Sequence, residues 1–134
     1  MTVYGVDTNV LLRLVVDDDP AQRAAALKFG AGLGKDYRGF LSLLNLVEFD
    51  WALRARFGFQ KKDVADAIHK LTRVRGLDVE NQTVVLKALR AVETRNADFA
   101  DALIAYRAAE EGCKATKTFD RHALKTVPGM ELLT

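Results

Sequence analysis

The sequence has a single cysteine, Cys113, and only two prolines among its 134 residues. One thiol cannot form an internal disulfide, so the fold is not a disulfide scaffold and nothing indicates an oxidising compartment. No apolar run approaches the roughly 18 residues that a membrane helix requires, and the N-terminus lacks the basic and apolar regions of a signal peptide. We therefore expect a cytoplasmic protein.

The net charge is also small. The chain has 20 Lys and Arg residues against 18 Asp and Glu residues, which gives a formal net charge of +2. Bulk charge therefore does not by itself indicate a nucleic-acid partner, although charges of each sign can still be sorted into patches. The hydrophobic fraction of 49% is sufficient for a core, and the length predicts a single domain, residues 1–134.

Short apolar runs alternate with longer helical patterns along the chain. The predicted strands cover residues 3–6, 39–43, 77–80, 114–118 and 130–133. The predicted helices cover residues 10–16, 21–29, 45–56, 61–73, 82–94 and 99–111, with Asp19 as an N-cap before Pro20. This alternation predicts a three-layer α/β/α fold with a mainly parallel central sheet of about four or five short strands.

Ligands of such sheets bind beyond the carboxyl ends of the strands, so acids that follow strands are candidate functional residues. Asp7 comes directly after the first predicted strand, and Asp120 ends the fourth. A helix N-cap is the structural alternative for Asp7.

Glu48 is conspicuous for its neighbours. Positions 44, 47, 48, 51, 52 and 55 share one helical face, and apart from Glu48 this face is apolar and includes Trp51. We expect Trp51 to pack in the core. A buried carboxylate on that face needs either a metal or a structural salt bridge, because its isolated burial is costly.

Asp98 and Asp101 are three residues apart and share one face near the N-terminus of a predicted helix. The helix dipole favours negative charge there, and we interpret Asp98 first as a cap. Asp101 lies further into the helix between apolar residues, which makes it the better candidate for chemistry.

If the strands are parallel, Asp7, Glu48, Asp101 and Asp120 can converge at one end of the sheet. Carboxylates in that position would repel one another unless a divalent cation bound between them. Ligands that are all oxygen atoms favour Mg²⁺ or Mn²⁺ over zinc, and such an ion can activate water for phosphoryl transfer. We interpret His69 and His122 as surface residues, because they are isolated in the sequence and form a poor zinc set.

Four motifs occur in order along the chain: Val6-Asp7-Thr8-Asn9, Glu48 at a helix start, Asp101-Ala102-Leu103-Ile104-Ala105, and Thr118-Phe119-Asp120. Together they resemble the PIN domain, in particular the VapC toxins of type II VapBC toxin–antitoxin systems, over essentially the whole chain.

The resemblance implies a Mg²⁺- or Mn²⁺-dependent endoribonuclease that hydrolyses RNA phosphodiester bonds. It also implies a homodimer and a cognate VapB-type antitoxin that blocks the active site. Its implied metal site is formed by Asp7, Glu48, Asp101 and Asp120, with Asn9 and Thr118 as supporting groups. Asp98 is an additional acid near this site.

Residues 54–75 carry seven Lys and Arg side chains, opposed by only Asp63 and Asp66. Cations beside an acidic metal pocket suit a phosphate backbone, although a solvated helix surface is an equally good explanation. The predicted RNA-binding residues are Arg54, Arg56, Lys61 and Lys62.

Two alternative functions remain open from the sequence. A receiver-like signalling domain also has an acidic metal pocket, but it needs an Asp directly after a central strand, and the run Phe40–Leu44 leads instead into the helix of Glu48. A catalytically inert binding module with a PIN fold is the second alternative, and the presence of all four acids argues against it.

Overall fold

Five short strands alternate with seven helices in the computed structural model, which describes residues 1–134. The elements are β1 (Val3–Gly5), α1 (Thr8–Val15), α2 (Pro20–Gly32), β2 (Arg38–Leu41), α3 (Leu43–Phe57), α4 (Lys61–Thr72), β3 (Leu77–Val79), α5 (Gln82–Arg95), α6 (Phe99–Glu110), β4 (Thr116–Thr118), α7 (Arg121–Thr126) and β5 (Met130–Leu132). None of the helices is both long and apolar enough to cross a membrane.

All strand pairs are parallel, which confirms the predicted α/β fold. The strands are divided between two sheets, one with the order β1-β2-β3 and one that pairs β4 with β5. Strand β1 therefore has a free edge, and the side chains of Val3 and Tyr4 on it are exposed. Because Asp7 follows β1 and Asp120 follows β4, these two acids lie at the ends of different sheets.

Helix α2 begins as predicted but ends later. Asp19 caps it by accepting a hydrogen bond from the backbone N–H of Gln22, and Pro20 is its first residue. The prediction that the helix stops after Phe29 was wrong, because it continues to Gly32. The Tyr37 hydroxyl donates to the Phe29 carbonyl at 2.7 Å. A Cβ atom at Gly32 would lie 2.4 Å from that hydroxyl, so this glycine leaves room for the tyrosine ring.

One cluster of 26 buried residues forms the core. Helix α3 contributes Leu46, Phe49 and Leu53, which recur at helical spacing along one face. The face predicted to be buried is a different one, and there Leu44 is 68% and Trp51 62% exposed. The expectation that Trp51 packs in the core was therefore wrong. Helix α3 has apolar side chains on two faces, so periodicity alone did not identify the buried one.

Candidate metal centre

Glu48 is held by the first turn of α1. The Thr8 hydroxyl donates to Glu48 Oε1 at 3.0 Å and accepts from Asn45 Nδ2 at 3.1 Å. Asn45 also forms the capping box of α3 with Ser42, so the start of α3 is fixed both to its own cap and to α1. Thr8 is buried whereas Glu48 is exposed. The buried Thr8 side chain thus orients the accessible carboxylate of Glu48.

Asp7 directly precedes α1, and its side chain makes no capping hydrogen bond there. Asp7 therefore occupies the expected N-cap position of α1, but its carboxylate is not used for capping. Its exposed carboxylate lies with Asn9 along a cleft of about 540 Å³ between α1 and α2, lined also by Arg13 and Phe29. Asp7 precedes the buried Thr8 in the chain, and Glu48 accepts a hydrogen bond from it. Asp7 and Glu48 are called the first acidic group below.

The second acidic group consists of Asp98, Asp101 and Asp120, which lie at the starts of α6 and α7. Asp98 caps α6 by accepting from the backbone N–H of Asp101 at 3.1 Å, which confirms the predicted cap. Asp120 caps α7 through two backbone N–H groups, at 2.8 and 3.1 Å. The Thr118 hydroxyl accepts from the Asp120 N–H at 3.0 Å and fixes the turn after β4.

Electrostatics couples these three acids. Burial raises the pKa of the Asp101 carboxyl, and the negative charges of Asp98 and Asp120 raise it further. Lys61 and His122 act in the opposite direction without cancelling the shift. The fold therefore disfavours a negative charge on Asp101 in the absence of a further cation.

The donor chemistry of the two groups fits a hard divalent ion, because every candidate ligand is a carboxylate oxygen. Their geometry fits it only in part. No three His, Cys, Asp or Glu side chains are placed to hold one ion together. Asp7 and Glu48 lie at the starts of α1 and α3, and Asp101 and Asp120 at the starts of α6 and α7. The division of the strands into two sheets corresponds to this division of the acids.

The buried carboxylate of α3 is Asp50, not Glu48. Asp50 is 2% exposed, and Arg54 binds it through Nε at 3.0 Å and Nη2 at 2.9 Å. Burial raises the pKa of Asp50, and the hydrogen bonds and charge of Arg54 oppose that rise. The sequence carried a signal for this pair, since an Asp and an Arg four residues apart on a helix can form an ion pair.

Three basic side chains predicted to bind RNA are found on α3 and α4. Arg56 is exposed, with its guanidinium carbon 5.3 Å from the centre of the Phe57 ring. Lys61 donates to the Asn96 carbonyl at 3.2 Å, in the loop before α6, and Lys62 is exposed. Arg54, the fourth, is engaged by Asp50 and also by Asp98, whose Oδ1 lies 3.1 Å from Arg54 Nη2.

The fold is an α/β domain with parallel strands and with acidic residues near the starts of several helices, and comparison with known families identifies it. The PIN domain family matches the chain over residues 4–129. The chain therefore belongs to the PIN domain family. PIN domains are generally nucleases, and PIN nucleases generally use divalent metal ions. Because the chain belongs to this family, the receiver-like signalling domain is no longer an alternative.

No curated protein is significantly similar to the chain in sequence. Among solved structures, the chain is similar to Mycobacterium tuberculosis VapC20, described as a sarcin-ricin loop cleaving toxin. The identity is 17% and the TM-score 0.43, over 88% of each chain.

Proposed function

We propose that this protein is the toxin component of a type II toxin–antitoxin system, a Mg²⁺- or Mn²⁺-dependent endoribonuclease that hydrolyses RNA phosphodiester bonds. The observation that carries the proposal is the position of Asp101 at the start of α6. Its carboxyl has a raised pKa from burial and from the charges of Asp98 and Asp120. In a family of nucleases, such a group of acids is best explained as a cation site.

The proposed ligands are Asp7, Glu48, Asp101 and Asp120. Such an ion lowers the pKa of water and offsets the charge that develops on the phosphate. The protein supplies orientation: Thr8 holds Glu48, and backbone N–H groups hold Asp120. The proposal requires both acidic groups of the molecule to act on the same ion.

Binding of the RNA backbone is assigned to exposed or half-buried cations at the end of α3 and the start of α4, namely Arg56, Lys61 and Lys62. Asn9 and Thr118 are supporting polar groups beside Asp7 and Asp120. The charge of Lys61 lowers the pKa of both Asp50 and Asp101, which supports its place beside the proposed site.

We also propose that residues 1–134 form one domain, which acts as a homodimer in the cytoplasm and is blocked by a VapB-type antitoxin. The single core cluster supports one domain. The exposed apolar face of α3, marked by Leu44 and Trp51 beside Glu48, supports a contact with a second copy, since large exposed apolar side chains of this kind mark interfaces.

The test is cleavage of total cellular RNA by the purified protein with Mg²⁺ or Mn²⁺ and with EDTA. Wild type should cut RNA only with metal and should arrest growth when expressed. Asp7→Asn and Asp101→Asn should abolish both effects and remain folded. Asp66→Asn, on the exposed face of α4, is the matched control and should cut like wild type. A wild-type protein that binds RNA but cuts none with either ion would establish the inert alternative.

A further inference from the structure

Arg54 connects two parts of the molecule that the chain keeps far apart. Its guanidinium holds the buried Asp50 within α3 and reaches Asp98, 44 residues further along the chain, at 3.1 Å. Asp98 in turn caps α6 at the backbone N–H of Asp101. We propose that Arg54 is a positioning residue, which fixes Asp98 as the cap of α6 and thereby places Asp101. This inference rests on the proposed function, in which Asp101 is a metal ligand.

Asp50 is the anchor of this arrangement. Its side chain is only 3% exposed, and it accepts two hydrogen bonds from Arg54. A carboxylate removed from water binds a guanidinium strongly and in one orientation, because the planar group offers several donors in a rigid fork. Arg54 Nη2 bonds Asp50 and Asp98 together. A lysine, with a single ammonium group, would not reproduce this planar bridge.

Both carboxylate oxygens of Asp98 accept hydrogen bonds. Oδ1 accepts from Arg54 Nη2, and Oδ2 accepts from the Asp101 N–H, each at 3.1 Å. The two neighbouring acids therefore differ in their hydrogen bonding, because Asp98 caps α6 while the carboxylate of Asp101 makes no hydrogen bond. Arg54 also places a positive charge beside Asp98, whose negative charge raises the pKa of Asp101.

The same contact links the two acidic groups of the molecule. Helix α3 carries Glu48 near its start and Arg54 near its end, and the Arg54–Asp98 contact joins α3 to the first turn of α6. A shift of α3 relative to α6 would move Glu48 relative to Asp101. The contacts of Arg54 with Asp50 and Asp98 therefore set the spacing of α3 and α6, the helices that carry the proposed ligands Glu48 and Asp101.

Two variants separate positioning from general stability. Arg54→Met alone leaves Asp50 buried without a partner and is expected to unfold the protein in part. The double variant Asp50→Leu with Arg54→Met removes the buried carboxylate together with its half-buried partner, and replacing a buried ion pair by apolar side chains is often neutral for stability. Arg90→Met is the matched control, because Arg90 is exposed on α5 and its side chain makes no hydrogen bond or ion pair.

The first measurement is hydrogen exchange of the Asp101 backbone N–H, followed by NMR on metal-free protein. We expect exchange at least about tenfold faster in the double variant than in wild type, since Asp98 loses the group that holds it. Arg54→Lys, which retains Asp50, should exchange at a rate between those of wild type and the double variant, and Arg90→Met should exchange at the wild-type rate. Exchange at the wild-type rate in a folded double variant would overturn the proposal and leave Arg54 a purely structural residue.

The second measurement is the dissociation constant for Mn²⁺, by electron paramagnetic resonance titration. We expect the double variant to bind Mn²⁺ about 10- to 100-fold more weakly at an unchanged urea midpoint, the range typical of residues that orient metal ligands. Unchanged Mn²⁺ affinity with weaker binding of a single-stranded RNA probe would contradict positioning and assign Arg54 to RNA. A wild type that binds no Mn²⁺ would instead refute the metal site itself, whereas the exchange measurement still decides the role of Arg54 at the cap.

Discussion

Asp101→Asn is expected to make the metal-free protein more stable while removing its activity. The folded state raises the pKa of Asp101 above its value in the unfolded chain, because of burial and the charges of Asp98 and Asp120. Between these two pKa values the folded protein binds more protons than the unfolded one, so its stability falls as pH rises through that window. At pH 7 the ionised carboxylate therefore costs stability, and an asparagine at this position removes that cost.

The size of the gain follows from exposure. Asp101 is half-buried and solvent screens its charge, so we expect the variant to gain about 0.2–1 kcal/mol, the range of screened charge pairs at surfaces. Urea unfolding at pH 7 in EDTA measures this gain. As pH falls through the raised pKa, wild-type Asp101 takes up its proton and the difference between the two proteins should shrink, and it should disappear below the pKa of the unfolded chain.

Mn²⁺ should reverse the order of stability of wild type and Asp101→Asn. An ion that binds only the folded state stabilises it by about 2.7 kcal/mol at 100 times its dissociation constant. Wild type should gain this stability and Asp101→Asn should not, so wild type becomes the more stable protein. Asp66→Asn should follow wild type under both conditions. A variant that is less stable than wild type in EDTA, or that gains as much from Mn²⁺, would refute the reasoning.

Two further predictions concern the neighbours of Glu48. Thr8→Val keeps the shape of a buried side chain but removes the hydroxyl that bonds Glu48 and Asn45. Mn²⁺ affinity should therefore fall about 10-fold or more. An unchanged Mn²⁺ titration would show that Glu48 needs no support from Thr8. Trp51→Glu places a charge on the exposed face of α3 and should convert the proposed homodimer to monomer in sedimentation velocity, whereas Leu86→Glu, at an exposed apolar residue of α5, should leave the dimer intact. A Trp51→Glu protein that remains dimeric would place the interface elsewhere.

The elements were largely predictable from the sequence because their signals are local. Each predicted strand is found within a few residues, and Asp19 with Pro20 marks the start of α2 through chemistry confined to one turn. The cap at Asp98 was predictable for the same reason, since an acid at a helix start interacts with the helix that follows it.

What the sequence did not predict depends on contacts between distant residues. Strand pairing is such a contact, and the division into β1-β2-β3 and β4-β5 is not visible in any one strand. The orientation of α3 is another, since Glu48 and Asp50 both have apolar neighbours and only packing against the other helices buries Asp50. The bond from Arg54 to Asp98 spans 44 residues and has no local signature.

The central claim is that carboxylates from the two acidic groups bind one divalent ion. A crystal of the protein soaked in Mn²⁺ tests it most directly, through anomalous scattering at the manganese edge. The claim predicts an anomalous peak within coordination distance of Asp101 and Asp120 on one side and of Asp7 or Glu48 on the other. Manganese bound to one group only, or found away from all four acids, would contradict it.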